Sequence, residues 1–302
     1  MKNKICKDCI RFNSVKEMCT LFDDYDICNS ERFLSKEKVR SLKILDGFAL
    51  EGAYFEAFDC SNFSFKKSDL SWSVFKSSHL SGANFSEAEL KNSNFASSVC
   101  DNASFESSKL DGAIFNKARL KSSNFSKATG LNTNFQGADL HRANLESSHF
   151  FHSIFNFSNL VEISAQDAIF ERCYMISANL TLAVCINCSF QRTTLFKGNL
   201  KEGKFENANF NNAYLANSSC IGTHFGNSKL DWSNFQYADL NYADFGCTSF
   251  RNVNFKGVSI KGTNFDNANL TGSNLRGAKF IKEANFNNAN LTDTFLPEEF
   301  NS

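Results

Sequence analysis

From residue 50 to residue 280, Phe or Leu fills 39 of the 47 positions that are multiples of five. A small residue, usually Ala or Ser, stands two positions earlier, as in Ala83-Asn84-Phe85. A period of five matches neither an α-helix, with 3.6 residues per turn, nor a plain β-strand, with a repeat of two. The pattern predicts a chain that turns a corner every five residues.

Side chains alternate along extended backbone, so the large residue, here called the centre, and the small residue two before it share one side. We expect both to point inward and the other three residues of each unit to point outward. Four such sides close a coil of 20 residues. Stacked coils then pair their backbones about 4.8 Å apart, so the chain is predicted to be an all-β solenoid of about 12 coils.

The four sides of such coils form four walls, numbered here from the first centre. Wall 1 begins with the centre Leu50, wall 2 with Phe55, wall 3 with Cys60 and wall 4 with Phe65, and each continues with every twentieth residue. In the first half of the chain Phe is the centre on walls 2 and 4. Since these walls are opposite each other, two facing stacks of aromatic rings are expected along the axis.

The repeated unit Ala-(Asn/Asp)-(Leu/Phe)-x-x resembles that of the pentapeptide-repeat family. Ala143-Asn144-Leu145, Ala178-Asn179-Leu180 and Ala268-Asn269-Leu270 match it fully. The resemblance extends over residues 48–296 and implies a right-handed, four-sided β-helix. It also implies one candidate function, because some members resemble duplex DNA, bind DNA gyrase and protect it.

The phase slips by one residue after Phe280, and the repeat resumes at Phe286, Leu291 and Leu296. A one-residue bulge at a corner is the simplest account. Pro297 is the only proline of the chain, and it is expected to end the last coil because it has no N–H to donate. Residues 297–302 are left as a short tail.

The segment before the repeats has two parts. Residues 1–34 contain Cys6, Cys9, Cys19 and Cys28. About 30 residues are too few for a core of their own, but four thiolates can fold such a segment around tetrahedral zinc. We therefore predict a structural zinc ion; an iron–sulfur cluster and free cysteines are the alternatives.

The second part, residues 35–47, is predicted to be a capping helix. Ser35 is suited to its N-cap and Gly47 to its C-terminal end. Val39, Leu42 and Leu45 would then cover the first coil.

Six further cysteines occupy inward positions of the repeat, and we interpret them as small core residues. They are Cys60, Cys100, Cys173, Cys185, Cys188 and Cys220. The total of 11 cysteines is odd, which favours reduced thiols over a disulfide framework. With no apolar targeting or membrane-spanning run, the expected location is the cytoplasm.

Charge excludes several classes of function. Lys and Arg number 32, as do Asp and Glu, so the net charge is zero and binding to nucleic acid or to a membrane is not expected. Gyrase binding by DNA mimicry requires a strongly negative rod, which also weighs against that alternative. No nucleophile, phosphate-loop or metalloenzyme motif is present, so we expect a protein that is not an enzyme.

The outward residues of wall 2 suggest a contact surface in the middle of the chain. Large apolar residues crowd there, and such patches on a protein surface usually mark interaction sites. We predict a protein-binding or self-association surface. The alternative is that the repeat has degenerated here and that these large outward residues have no function. The opposite wall, wall 4, is mildly acidic. The predicted partner-binding residues are Ile154, Phe157, Tyr174, Ile176 and Phe196.

Overall fold

The computed structural model describes residues 9–11, 33–35 and 43–300. From Ile44 to Phe295 the chain is one solenoid of 20-residue coils. Parallel bridges join residues 20 apart, beginning with Ile44 and Ser64. Backbone hydrogen bonds follow the same step, and the N–H of Phe55 donates to the carbonyl of Val74 at 2.7 Å. The solenoid therefore starts at Ile44, four residues before the predicted boundary.

Regular elements are very short, since each wall contributes about one bridging residue per coil. Two longer strands pair in parallel, β3 (Thr129–Leu131) and β4 (His149–Phe151). Before the solenoid, β1 (Cys9–Arg11) pairs antiparallel with β2 (Phe33–Ser35). Two 3-10 helices, Ile281–Glu283 and Glu298–Phe300, lie at the C-terminal end. Within the described residues, no helix is long and apolar enough to cross a bilayer.

Each corner is a β-turn that the repeat itself closes. The N–H of Ala53, for example, donates to the carbonyl of Leu50 at 2.9 Å. The second residue after each centre has a positive φ, such as 60° at Asn62. Asn and Gly tolerate this left-handed conformation best, which explains their frequency at that position. The turn directs the two corner side chains outward.

The inward positions behave as predicted. Every centre from Leu50 to Leu275 is buried, and from Ala53 onwards the residue two before each centre is buried as well. On wall 2 the rings of Phe55 and Phe75 stack at 4.7 Å with an interplanar angle of 1°. Phe65 on wall 4 meets Phe55 edge-on at 5.6 Å and 78°. The two facing aromatic stacks expected from the sequence are confirmed.

In the middle of the rod, the aromatic stack leaves wall 4 and continues on wall 1. The centres of wall 4 are small or medium in size there. Phe rings on wall 1 fill the space that these centres leave and contact the Phe rings of wall 2. Gly130 makes room for the first of them, because a Cβ on Gly130 would lie 3.0 Å from Cδ1 of Phe150. The wall 4 centres are Leu145, Ala165 and Cys185, and the wall 1 rings are Phe150, Phe170 and Phe190.

Near the C-terminus, the extra residue sits at one corner, as expected, but one inward assignment is wrong. Phe280 is 49% exposed, with a φ of 62°, and Ile281 takes the inward position instead. The bridge offset then changes from 20 to 21 residues, beginning with Asn264 and Asn285. Phe280 fails as a centre because the bulge turns it into a corner residue.

The predicted capping helix over residues 35–47 is wrong wherever the structure describes it. Ser35 belongs to β2, where it pairs with Cys9. Leu45 is already a buried centre of the first coil, and Gly47 is its left-handed corner residue. The five-residue register, which Leu45 obeys, overrides the helical spacing. Residues 36–42, with Val39 and Leu42, lie outside the described part.

Candidate protein-interaction surface

The five predicted contact residues lie together on wall 2, over three successive coils. Ile154 and Tyr174 are paired neighbours in its ladder of bridges. Phe157, Ile176 and Phe196 lie at the corner that follows, and the N–H of Phe157 donates to the carbonyl of Ile176 at 2.9 Å. The wall is a hydrogen-bonded sheet, so these side chains are held on a rigid support.

These residues differ in how much of their surface reaches solvent. Phe157 is 62% exposed and Tyr174 is 48% exposed, whereas Ile154, Ile176 and Phe196 are half-buried. The ring of Phe196 stacks on that of Tyr214 in the next coil, with centroids 5.9 Å apart. Tyr214 therefore extends the surface by one more rung.

The sequence interpretation missed two residues at the other edge of wall 2. Leu131 and Phe151 are 45% and 37% exposed, and they pair in the β3–β4 register. They directly follow wall 1 centres, but this corner also borders wall 2. The apolar patch is defined here as Leu131, Phe151, Ile154, Phe157, Tyr174, Ile176, Phe196 and Tyr214.

Positive charges lie at both edges of the apolar patch. At one edge the guanidinium carbon of Arg172 lies 5.7 Å from the ring centroid of Phe151, and Arg192 follows one coil later. At the other edge the ammonium of Lys197 lies 5.3 Å from the ring centroid of Phe196. Within the described residues, none of these three side chains forms a salt bridge.

Among the other arginines of the described solenoid, Arg119, Arg142 and Arg251 each pair with an acidic residue of a neighbouring coil, and Arg276 does not. Arg142 donates to Glu162 at 2.7 Å, and this hydrogen bond holds the pKa of Glu162 below its usual value. Arg251 binds Asp231 through two guanidinium nitrogens, at 2.8 and 2.6 Å. In the part of the chain that the structure describes, Arg172 and Arg192 lack such a partner, as does Arg276, whose guanidinium carbon lies 4.7 Å from the ring centroid of Phe295.

One carboxylate, that of Glu171, lies at the arginine edge of the apolar patch. Its Oε1 accepts a hydrogen bond of 2.9 Å from the hydroxyl of Ser189. Ser189 belongs to the bridge ladder of wall 1, where it pairs with Ile169. This contact directs Glu171 towards wall 1, and among the described residues Glu171 forms no salt bridge with an arginine.

The acidic side chains of wall 4 are partly neutralised. Glu87 lies 3.4 Å from the ammonium of Lys66 and 3.5 Å from that of Lys67. Glu146 accepts a hydrogen bond of 2.6 Å from the hydroxyl of Ser164. Wall 4 therefore does not present a continuous row of free negative charges.

The predicted metal ligands lie almost entirely outside the described residues. Cys9 is the first residue of β1, whereas Cys6, Cys19 and Cys28 fall outside that part, so the zinc site stays a prediction. No cluster of potential metal ligands occurs among the residues that the structure describes.

The inward cysteines are core residues, as predicted. All six are buried, and burial raises the pKa of Cys100, Cys173 and Cys220 to about 12. A thiol that stays protonated at neutral pH is a poor nucleophile and a poor metal ligand. These side chains therefore fill space and do not supply chemistry.

Comparison with a family model agrees with the coil geometry. The model described as "Pentapeptide repeats" matches eight segments, which together cover more than half of the chain. The chain belongs to the pentapeptide-repeat family. The matched segments are residues 68–98, 98–129, 131–164, 199–231, 213–246, 233–272, 248–282 and 261–298.

Solved structures of pentapeptide-repeat proteins are similar to this chain at low identity. HetL, from Nostoc sp. strain PCC 7120 and involved in heterocyst differentiation regulation, is 19% identical, with 81% of this chain and 90% of that chain covered and a TM-score of 0.29. QnrB1, a plasmid-mediated fluoroquinolone resistance protein, is 14% identical, with 69% and 91% covered and a TM-score of 0.35. Rfr23, from the cyanobacterium Cyanothece 51142, is 21% identical, with 38% and 88% covered and a TM-score of 0.32. No curated protein matches the chain.

The matched pentapeptide repeats leave out residues 165–198, which contain Tyr174, Ile176 and Phe196. The core of this segment is nevertheless intact, since Ala165, Met175 and the other centres there are fully buried. The segment departs from the family pattern at inward positions, with Ala165, Met175 and Cys185 as centres, as well as at outward positions.

Proposed function

We propose that this pentapeptide-repeat protein is a non-enzymatic scaffold that binds another protein through the apolar patch on wall 2. The observation that carries the proposal is eight large apolar side chains side by side on one rigid wall. Contiguous exposed apolar surface is disfavoured on a monomer unless a partner covers it. Repeat drift alone would not be expected to gather these residues on one wall.

Several features of the patch are typical of protein interfaces. Aromatic residues are enriched in interface cores, and the patch contributes Phe151, Phe157, Phe196, Tyr174 and Tyr214. The supporting wall is held by backbone hydrogen bonds between coils, so its backbone loses little conformational entropy on binding. Cations border the patch, as polar rims border most interfaces.

The test compares Phe157→Glu with Trp72→Glu in a pull-down from the native host. Both residues are exposed corner residues with positive φ, 62% and 59% exposed, so the backbone strain is matched. We expect Phe157→Glu to lose a partner that the wild type and Trp72→Glu retain, with unfolding free energies unchanged within about 0.5 kcal/mol. An identical partner profile for all three proteins would refute the proposed site.

The gyrase-binding role that the family resemblance implies remains a second candidate. It would use wall 4, where Glu87 is paired with Lys66 and Lys67. Zero net charge weighs against mimicry of DNA, which carries one negative charge per about 1.7 Å of axis. Recovery of gyrase subunits that both Glu variants retain would favour this second role.

A further inference from the structure

We propose that the partner of the apolar patch presents an acidic, amphipathic helix that lies along the solenoid axis. This inference rests on the proposed docking function and adds the chemistry of the partner. Two observations carry it, the unpaired cations at the edges of the patch and the spacing of its rungs.

The charge argument begins with one corner column. His152, Arg172 and Arg192 occupy the same corner on three successive coils, and the N–H of His152 donates to the coil that carries Arg172. Adjacent coils are about 4.8 Å apart, a distance at which like charges repel. Two neighbouring arginines without an acidic partner are stabilised when a bound molecule supplies carboxylates.

The opposite edge carries the same sign of charge. Lys197 lies there beside Phe196 without a salt bridge among the described residues. A partner helix with an apolar stripe and carboxylates on both flanks would therefore meet a cation on each side of wall 2. Such complementarity sets specificity and speeds association more than it adds affinity.

The spacing argument favours a helix over a strand. Ile154, Tyr174, Thr194 and Tyr214 follow one another in the bridge ladder, one per coil. Their step of about 4.8 Å is close to the helical pitch of about 5.4 Å and shorter than the strand repeat of about 6.8 Å. Side chains at i, i+3 or i+4, and i+7 of a partner helix can thus keep step with consecutive rungs. About ten helical residues span these four rungs.

The same charges disfavour two other occupants. Face-to-face pairing of wall 2 with a second copy would oppose arginine edge to arginine edge, or arginine edge to Lys197. Either arrangement places like charges together. A nucleic acid would find few cations beside the apolar patch, on a chain without net positive charge.

The test places a photo-cross-linking benzoylphenylalanine at position 174, with position 72 as the control, in full-length protein in the native host. Mass spectrometry then identifies the peptide joined at each position. We expect position 174, and not position 72, to capture a segment with net negative charge and apolar residues at helical spacing. A neutral or basic segment, a second copy of this chain, a nucleic acid, or no capture above position 72 would overturn the proposal.

A second measurement separates this inference from the docking function on which it rests. Cross-linking at position 174 is repeated with Arg172→Gln plus Arg192→Gln, and separately with Phe157→Glu. We expect the double substitution of the arginines to lower the cross-linking yield about tenfold and to abolish the dependence of this yield on salt concentration. If Phe157→Glu removes the cross-link but the double arginine variant retains it, the proposed docking surface is supported and the proposal of an acidic partner is wrong. If neither variant changes the yield, both proposals are wrong.

Discussion

The ring of Tyr237 lies over the backbone of Gly257, which occupies the same corner one coil later. A Cβ atom on Gly257 would stand 2.5 Å from Cδ1 and Cε1 of that ring, closer than packed carbon atoms approach. Tyr242 and Gly262 repeat the arrangement at the next corner, with a nearest distance of 2.8 Å. Gly257 is therefore required by the ring above it, whereas a positive φ, 71° at Gly257, is shared by corner residues that are not glycine.

This relationship predicts different effects for one substitution at two glycines of the same corner column. Gly257→Asn is expected to lower the free energy of unfolding by about 1–3 kcal/mol, because the new side chain collides with the Tyr237 ring. Gly137→Asn is the control, since its φ is 65° and its nearest foreign atom, Cγ of Lys117, would be 3.7 Å from the Cβ. Asn tolerates this backbone conformation, so the control should change stability by less than about 1 kcal/mol. Urea unfolding measures both.

Removing the ring provides the internal check. Tyr237→Ala should relieve most of the penalty of Gly257→Asn, because no atoms of the ring remain to collide with it. Equal effects of the two glycine substitutions, or no relief in the double variant, would show that the Tyr237–Gly257 contact does not set the requirement for glycine.

The sequence was sufficient for the solenoid because every unit repeats one rule. The centre and the small residue before it must face inward, and residues as different as Leu50, Cys185 and Leu275 obey this without exception. Local exceptions were harder to predict. Leu45 fits both a helical pattern and the five-residue register, and only the bridges of the first coil decide between them. At the bulge, the inward position is occupied by Ile281 and not by Phe280.

The contact surface was only half predictable for a geometric reason. A corner borders two walls, but a linear reading assigns its residues to one. Phe157 was placed on wall 2 because it follows a wall 2 centre. Leu131 and Phe151 follow wall 1 centres, although their corner also borders wall 2. Reading each corner with both of its walls would have found them.

The transfer of the aromatic stack from wall 4 to wall 1 predicts coupling between Ala165 and Phe170. These consecutive centres share one coil, and the small volume of Ala165 is offset by the ring of Phe170. Ala165→Phe should overpack the core, and Phe170→Leu should leave it underpacked, each lowering stability by about 1–3 kcal/mol. The double variant restores the total side-chain volume of the core. Its loss of unfolding free energy should therefore be smaller than the sum of the losses in the two single variants, by about 1 kcal/mol or more. A double-mutant cycle in urea tests this, and additive effects would contradict it.

The buried thiols predict a loss of stability at alkaline pH. Cys100, Cys173 and Cys220 have a pKa of about 12 in the folded chain because burial disfavours the thiolate. In the unfolded chain a thiol has a pKa of about 8.5, so above that pH the folded state binds more protons. The free energy of unfolding must then fall as the pH rises, by up to about 1.4 kcal/mol per pH unit for each thiol.

The measurement is urea unfolding between pH 7 and 10 for the wild type and for a variant with all three cysteines changed to Ala. The variant is expected to be less stable at pH 7, because each deletion leaves a cavity. Its stability should nevertheless decline less steeply above pH 9 than that of the wild type. Parallel slopes would mean that these thiols do not retain their protons on folding.

The four-cysteine segment predicts one zinc ion per chain, bound independently of the solenoid. Strands β1 and β2 pair the ends of residues 9–35, which keeps Cys9 in a segment with its own backbone hydrogen bonds. Elemental analysis of purified protein should give about one zinc per chain, and Cys9→Ser should lower it strongly, because a structural site needs four ligands. Cys247→Ser is the control, since Cys247 is exposed and lies within the repeats. Because bridges join the coils from Ile44 onwards to one another, a chelator should remove the metal without changing the β-sheet circular dichroism. Iron with visible absorbance would assign the cysteines to an iron–sulfur cluster, and metal-free protein from cells grown with zinc would exclude both.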